Sequence, residues 1–305
     1  MSAAHPRPDV LMPLRNLCNS VKCSRDRVRD GESNECSGAF SLSNFWETLS
    51  EAVKSTSQEA TKLSVMFSNA PSDEDCVKIS ESVQKSVLTL STVYFWLPAS
   101  QGVSLRKVVR DATAEVLDGL VHLLEAILSS PGESLSQEQL MSTGGVWAAC
   151  DQFDQLPKDN RSAVLSVLTA CAGLVKDALE EMEQALAEAQ DPFGAVLDDD
   201  DDDDEGHQDT HWSEADRLLV TQCQGLMKAS GASLRKLCSA VRTNGSLETE
   251  ERISQLDALT DAARDISPRS SHVCAEADVS WVEFLSGAVE HNLQKITSLL
   301  RDCGS

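Results

Sequence analysis

Apolar residues recur every three or four positions over most of the chain, which is the spacing of helices that bury one face. The clearest case runs from about Ser104 to Leu128, where the apolar face is broad enough to touch several neighbouring helices. The residues on this face are Leu105, Val109, Ala112, Val116, Leu120, Leu123 and Ile127, and the face is widened by Val108, Val121, Leu124 and Leu128.

Four more helices are predicted around this one. Two precede it, over about 44–67 and 72–97, and a shorter one follows and ends at Pro157. A long helix then runs over about 159–190. The shorter helix is expected to bury Leu140, Val146, Trp147 and Cys150. Because the connections are short, consecutive helices should be antiparallel. The pattern therefore predicts an all-α fold: an antiparallel helical bundle of about five helices, followed by a smaller helical region.

Helix starts are indicated by a cap residue followed three positions later by an acidic residue. This spacing occurs at 44–47, 72–75, 213–216 and 280–283. Prolines and glycines separate the predicted helices, for example at Pro98 and Gly102.

The pattern divides the chain into four parts. Residues 1–40 are only weakly patterned: a short helix could carry Leu11, Leu14, Leu17 and Val21, but Pro6, Pro8 and Pro13 and a polar stretch favour a weakly ordered N-terminal arm. Residues 41–190 form the N-terminal helical bundle, and residues 191–210 form an acidic flexible linker. Residues 211–303 form a C-terminal helical region with three clear helices, which leaves it short of one helix and with an incomplete core.

Composition supports helices over sheets. Hydrophobic residues make up 41% of the chain and aromatic residues only 4%. Strands favour aromatic and β-branched residues, so a sheet is not expected.

The chain carries a net charge of −23, from 49 acidic and 26 basic residues. Affinity for nucleic acid or for anionic lipid depends on Lys and Arg, so direct nucleic-acid binding and membrane binding are disfavoured. The one basic concentration, Arg25, Arg27 and Arg29, is interrupted by Asp26 and Asp30.

An uninterrupted acidic run is the most distinctive local feature. The favoured interpretation of this run is a solvated spacer. The functional alternative is that its charge attracts a basic segment of a partner, or repels nucleic acid. A weak divalent-cation site beside His207 and His211 is disfavoured because the run lacks the turn glycines that shape a calcium loop. The candidate interaction residues are Asp198, Asp199, Asp200, Asp201, Asp202, Asp203, Asp204 and Glu205.

Ten cysteines occur without any C-x-x-C pair, and the first residues lack the apolar stretch of a secretory signal. Reduced thiols in an intracellular protein are therefore expected, with Cys150 and Cys171 buried as small apolar residues. No stretch approaches the ~20 uninterrupted apolar residues of a membrane span. Four of the five tryptophans lie near predicted helix starts or ends beside apolar residues, so packing is their favoured role over a ligand site.

The chain lacks the phosphate-binding and zinc-protease motifs, and its six histidines are dispersed. No enzyme activity, cofactor or metal site is therefore predicted. Ser130-Pro131 and Ser267-Pro268 are minimal targets of proline-directed kinases, which makes Ser130 and Ser267 candidate phosphorylation sites. Both also coincide with predicted helix breaks, which explains the prolines equally well.

Several strings resemble the cyclin-D-binding protein family of vertebrates. The similarity covers most of the chain from about residue 44 onward, in order and spacing. The strings are LRKVVRDAT at 105–113, VKDALEEMEQ at 175–184, WSEAD at 212–216 and DISP at 265–268.

The resemblance implies a non-enzymatic regulator that binds D-type cyclins and dampens cell-cycle progression, with residence in both cytoplasm and nucleus. It also implies sequestration of helix-loop-helix transcription factors by a family that lacks a DNA-contacting basic region, and contact with signalling adaptor proteins. A vinculin-like helical scaffold in adhesion or cytoskeletal assemblies is the alternative, on fold-level analogy.

One departure from the family pattern lies between Pro268 and Ser280, where the family usually carries a further segment long enough for a helix. This chain has almost nothing there. The partner-binding face is unknown at this stage. The helix over Leu218–Val241 and the terminal helix are the first places expected to expose it, because the missing segment would pack there.

Overall fold

The computed structural model describes residues 11–31, 40–68, 71–129, 136–188 and 214–266. Within these ranges the chain forms eight α-helices and two short 3-10 turns, with no strand, so the predicted all-α fold is confirmed. The chain divides into two compact units, Met1–Ala163 and Val164–Ser305. The division lies within a helix, whereas the sequence predicted it in the linker over 191–210.

The first unit is a bundle of five helices arranged in a ring. They are α1 (Met12–Asp30), α2 (Leu42–Met66), α3 (Asp73–Trp96), α4 (Val103–Ser129) and α5 (Gln137–Asp151). Around the ring α1 packs on α3, α3 on α2, α2 on α5, α5 on α4, and α4 on α1. The broad apolar face predicted for α4 is buried along its length, from Leu105 to Ile127, as the sequence indicated.

The N-terminal arm requires a correction. Residues 12–30 form α1, whose side chains Leu14, Leu17 and Val21 are fully buried in the core of the first unit. Pro13 is compatible with this helix because it lies in the first turn, where a missing N–H costs nothing. The bundle therefore has five helices, as predicted, but α1 takes the place that the sequence assigned to the helix over 159–190.

A buried arginine ties α1 to its neighbours. Arg106, near the start of α4, donates hydrogen bonds to the carbonyl oxygens of Leu97 and Gly31, which follow the last residues of α3 and α1. Its guanidinium also lies 5.3 Å from the centre of the Tyr94 ring. Helix C-termini leave carbonyls without intrahelical partners, so one cation here satisfies two helix ends at once.

Serine caps begin three of these helices. Ser41, Ser72 and Ser136 each accept a hydrogen bond from the backbone N–H three residues later, at 3.4, 3.2 and 3.1 Å. The cap predicted at 72–75 is confirmed. The cap predicted at 44–47 is wrong, because α2 begins at Leu42 and its cap is Ser41.

The start of α4 depends on a glycine and an asparagine. Gly102 has φ +112°, and a Cβ atom at this position would lie 1.9 Å from Cγ of Asn160. The Asn160 side-chain oxygen accepts a hydrogen bond from the backbone N–H of Leu105 at 2.9 Å. Asn160 thus supplies a cap for α4 from a distant part of the chain, and only glycine leaves room for it.

The second unit contains most of α6 (Asn160–Glu188), together with α7 (Glu214–Asn244) and α8 (Glu250–Ile266). Its core includes Val164, Leu168 and Val175 of α6 and Leu234 and Leu237 of α7. Among the described residues α6 alone is long and apolar enough to cross a membrane by length and composition, a test that core helices also pass. The predicted terminal helix and linker lie outside the described residues.

Candidate partner-binding surface

Helix α5 buries two polar residues and exposes three large apolar ones, although Val146, Ala149 and Cys150 also face the core. Gln139 and Thr143 face the core and are each only 3% exposed. Leu140, Met141 and Trp147 face outward with 53, 70 and 44% of their surface exposed. A helix that serves only to close a core buries its leucine and exposes its glutamine, so this inversion points to a role for the exposed residues outside the core.

The buried polar residues have partners that explain their position. Gln139 donates from Nε2 to the backbone oxygen of Ser64 at 2.8 Å, and Thr143 donates to the Ser64 hydroxyl at 2.9 Å. Ser64 lies in the last turn of α2, where carbonyls lack intrahelical partners. The polar side chains of α5 therefore satisfy the end of α2 and fix how the two helices pack, which directs the apolar residues outward.

The outward residues form one surface, here called the α5 face: Leu140, Met141, Gly144, Gly145, Trp147 and Ala148. No charged residue occurs from Gln139 to Cys150. The Trp147 indole N–H donates to the Thr61 hydroxyl at 3.0 Å, which holds the ring against α2. A Cβ atom added at either glycine would meet nothing within 4 Å, so the centre of the face is open.

A pocket of about 290 Å³ lies between α2 and the C-terminal end of α5. Val53, Leu49 and Cys150 contribute apolar walls, and Asp151 and Asp154 are exposed beside it. We call it the α2–α5 pocket.

One wall of the α2–α5 pocket is held by Trp46 and Lys158. The Trp46 indole N–H donates to the Lys158 backbone oxygen at 2.8 Å. The Lys158 ammonium lies 4.2 Å from the centre of the Trp46 ring and donates to the Phe153 backbone oxygen at 3.1 Å. These contacts engage the lysine charge and fix the tryptophan, so the wall is formed before any ligand arrives.

The thiol in this pocket is chemically inert. Burial, with a smaller contribution from Asp151, raises the pKa of the Cys150 thiol to about 12. Since the thiolate is the nucleophile, a thiol with this pKa does not react at neutral pH. Cys150 and Cys171 are buried, as the sequence predicted. Within the described residues no three potential metal-ligand side chains are grouped.

A second apolar surface lies along α3. Leu88 and Trp96 are exposed there and border an open groove of about 520 Å³, which reaches Thr48 of α2. The prediction that tryptophans serve in packing is therefore incomplete: Trp96 and Trp147 both expose more than two fifths of their surface. The charged outer residues of α2, including Glu51 and Lys62, are exposed as well.

The basic residues of α1 are used within the first unit. Arg25 and Arg29 both donate to the Asp118 carboxylate of α4, and Lys22 pairs with Glu125 at 2.7 Å. Arg27 lies 5.9 Å from the centre of the Phe95 ring. These contacts engage the Lys and Arg side chains that would otherwise be available to bind nucleic-acid phosphates.

The candidate sites predicted from sequence lie outside the described residues. This applies to the acidic run Asp198–Glu205, to Ser130 and Ser267, and to His207 and His211. Helix α7, where partner binding was expected first, exposes Leu218 but buries Leu234, Leu237 and Val241. Sequence reasoning missed the α5 face, although the uncharged run over 139–150 was a visible signal.

A helical bundle that exposes large apolar side chains on α3 and α5 has the features of a helical protein-interaction module. Comparison with known proteins gives the family. Residues 48–188 match the N-terminal domain, and residues 197–277 the C-terminal domain, of the family described as Grap2 and cyclin-D-interacting. The chain belongs to this family, as the resemblance indicated.

Named relatives cover nearly the whole chain. It is 67% identical to the Cyclin-D1-binding protein 1 homolog of Danio rerio over 341 residues, which covers 99% of each chain. It is 43% identical to the Xenopus laevis homolog over 325 residues, covering 94% of this chain and 98% of that one. Identity to the Homo sapiens Cyclin-D1-binding protein 1 is 33% over 340 residues, with 95 and 93% covered.

The length of these alignments bears on the predicted missing segment. The Danio rerio alignment spans 341 positions and this chain has 305 residues, so at least 36 aligned positions of the relative have no counterpart here. A shorter form of the family is consistent with that difference. The position of the gap between Pro268 and Ser280 stays a prediction.

Proposed function

We propose that this chain is a non-enzymatic regulator that binds D-type cyclins and that the α5 face is part of the binding surface. The inverted arrangement of α5 is the observation that carries the proposal, because it exposes Leu140, Met141 and Trp147 at a cost that folding alone does not require. Relatives named as cyclin-D1-binding proteins support the choice of partner.

The shape of the surface fits a protein partner better than a small substrate. The α5 face is an open, uncharged ridge bordered by polar residues, which is how the centre and the rim of protein interfaces are composed. Trp147 is held in place by its hydrogen bond to Thr61, so binding loses little side-chain freedom there. Tryptophans in such positions often dominate binding energy.

A binding measurement with a purified D-type cyclin tests the proposal. Leu140→Asp combined with Met141→Asp places two charges in the apolar surface, and we expect affinity to fall by at least about tenfold. Both side chains are exposed, so the melting temperature should stay near that of the parent. Leu88→Asp on α3 is the matched control, since it adds a charge at an exposed leucine on another helix.

Two outcomes oppose the proposal. Equal cyclin affinity of the parent and the double variant would remove the α5 face from the binding surface. Failure of the parent to retain cyclin, under conditions in which the Danio rerio relative retains it, would remove the cyclin assignment for this chain.

We further propose that the chain binds helix-loop-helix transcription factors and signalling adaptor proteins, and that it restrains cell-cycle progression and transcription from both cytoplasm and nucleus. The family description names Grap2 beside cyclin D as an interacting protein, which supports a partner besides cyclins. The net charge of −23 supports sequestration of a transcription factor over competition for its DNA. A gel-shift assay should show loss of the factor–DNA complex without a new complex that contains this chain on DNA.

A further inference from the structure

Helix α1 fills a groove between α3 and α4 and is bonded to both helices. Its Arg27 lies beside the Phe95 ring near the end of α3. Its Arg25 and Arg29 donate to the Asp118 carboxylate of α4. We call this space the α1 groove. Since α3 also touches α4 directly, the other four helices of the bundle keep a closed set of contacts with one another when α1 is left out.

Of the five helices in the bundle, α1 has the smallest share of buried residues. It buries 5 of its 19 residues, compared with 5 of 15 in α5 and 15 of 27 in α4. No residue between Val21 and Val28 is buried, and over these turns α1 is held largely by ion pairs of partly exposed groups. Such pairs contribute little stability.

The way in which α1 is attached also favours its release. It is joined to the other helices of the bundle only through its C-terminal end. The hydrogen bond from Arg106 is made to Gly31, beyond the last residue of the helix, so it does not hold the helical turns themselves. A terminal element with few buried contacts opens at a lower free energy than the core around it. We therefore expect α1 to open while α2 to α5 stay folded.

The residues that α1 places in the groove show what the groove accepts. Leu14, Leu17 and Val21 are spaced by three and four positions and are at most 2% exposed, so the groove is apolar beneath them. On its α4 side, Asp118 and Glu125 are seven residues apart, which is about two helical turns, and both pair with cations of α1. A basic amphipathic helix therefore fits this groove in both shape and charge.

We propose that the α1 groove is a second partner-binding site, which α1 fills until a basic amphipathic helix of a partner protein replaces it. The partner helix places its apolar stripe where Leu14, Leu17 and Val21 lie and its basic residues against Asp118 and Glu125. Because α1 belongs to the same chain, it competes at an effective concentration on the order of millimolar and so lowers the affinity for the partner. The site is separate from the α5 face and does not depend on the cyclin assignment.

Thiol labelling of the unchanged full-length chain tests whether α1 opens by itself. Cys18 of α1, Cys76 of α3 and Cys150 of α5 are buried, whereas Cys23 of α1 is exposed and calibrates the reagent. Under native conditions we expect a maleimide to label Cys18 at least about ten times faster than Cys76 and Cys150, because local opening exposes Cys18 alone. Equal rates at the three buried cysteines would overturn the proposal, since α1 would then open only when the whole bundle unfolds.

A peptide with the sequence of residues 11–31, carrying alanine in place of Cys18 and Cys23, serves as the probe for a partner helix. Calorimetry measures its binding to the full-length chain. The Leu17→Asp chain should bind it at least about ten times more tightly than the parent, because the competing α1 has lost an apolar contact. A control peptide that itself carries Leu17→Asp should bind neither chain.

A charge reversal in the groove tests the preference for a basic helix. Adding Asp118→Lys to the Leu17→Asp chain should weaken binding of the peptide by about three to ten times, because the lysine repels the arginines of the peptide. Adding Glu51→Lys is the matched control, since it changes the net charge equally at an exposed position of α2, and it should leave the affinity unchanged. Circular dichroism checks that each variant is folded.

Two results of the peptide measurements would overturn the proposal. One is equal affinity of the parent and the Leu17→Asp chain for the peptide, and the other is an effect of Glu51→Lys as large as that of Asp118→Lys. If Leu17→Asp unfolds the chain, the comparison of the buried cysteines decides, because it needs no substitution.

Discussion

Helices α4 and α5 are neighbours in one bundle and are both rich in apolar residues, yet they use these residues in opposite ways. The seven central residues of the predicted apolar face of α4, from Leu105 to Ile127, are buried. On α5 the leucine, methionine and tryptophan are exposed, and glutamine and threonine are buried. The difference teaches that an apolar residue at a helical position indicates a contact, but not whether the contact lies in the core or with a partner.

The largest effect is expected from removing a core side chain of α4. Leu120→Ala should lower the free energy of unfolding by about 2–5 kcal/mol, because Leu120 is fully buried and the substitution leaves a cavity. Denaturant unfolding measures this loss of stability. Leu140→Ala in α5 is the matched control and should change stability by no more than about 0.5 kcal/mol. A similar loss in both variants would abolish the contrast between the two helices.

A smaller effect is expected where α4 begins. Gly102→Ala should cost about 1–3 kcal/mol, because the residue has φ +112° and the new methyl would collide with Asn160. The collision also disturbs the hydrogen bond from Leu105. Gly144→Ala on the α5 face meets open space and should be neutral or stabilise by up to about 1 kcal/mol. Thermal unfolding of the two variants gives the comparison, and destabilisation by both would show that the α5 face is packed.

The polar contact between α5 and α2 should contribute somewhat less. Gln139→Ala removes the amide that donates to Ser64 and leaves that buried carbonyl without this donor, at a cost of about 1–2 kcal/mol. Gln137→Ala, at an exposed position two residues earlier, should be close to neutral. Denaturant unfolding measures both variants. If the free energy of unfolding of each equals that of the parent, the contact between Gln139 and Ser64 does not stabilise the packing of α5 on α2.

The effect that is smallest at neutral pH concerns the Cys150 thiol. Its pKa is raised from 9.0 to about 12, so the folded state retains a proton that the unfolded state releases. Stability should therefore fall as pH rises from about 9 towards 12, with no contribution at neutral pH. A maleimide reagent at pH 7 should label the exposed Cys23 and spare Cys150. Peptide mapping after labelling compares the two cysteines, and equally fast labelling of Cys150 and Cys23 would contradict this prediction.

Much of the first unit followed from periodicity. The helix predicted over 72–97 is present as α3, and predicted residues of α4 such as Leu105, Val116 and Leu120 are buried, because long amphipathic helices have a single way to hide their apolar stripe. The stripe of α1 was visible as a possible short helix, but three prolines and the polar residues that follow favoured a weakly ordered arm. Helix α1 becomes a core helix through contacts that the local pattern does not contain, including those of Arg106 and Asp118.

The candidate surface was less accessible to sequence reasoning. Leu140, Val146, Trp147 and Cys150 were grouped as one buried set, but only Val146 and Cys150 are buried. The two subsets lie on different sides of α5, and the choice between them depends on Ser64, more than seventy residues earlier in the chain. A polar partner so far away in the sequence cannot be detected from the spacing of residues within α5.

The sequence by itself determined that this protein is helical, acidic and related to the cyclin-D-interacting family, because periodicity, charge and motif order are local properties of the chain. Only the tertiary structure decided that α1 joins the core and that α5 turns its apolar residues outward. Both outcomes depend on buried polar groups finding partners on other helices, since an unsatisfied carbonyl or guanidinium costs more than an exposed leucine.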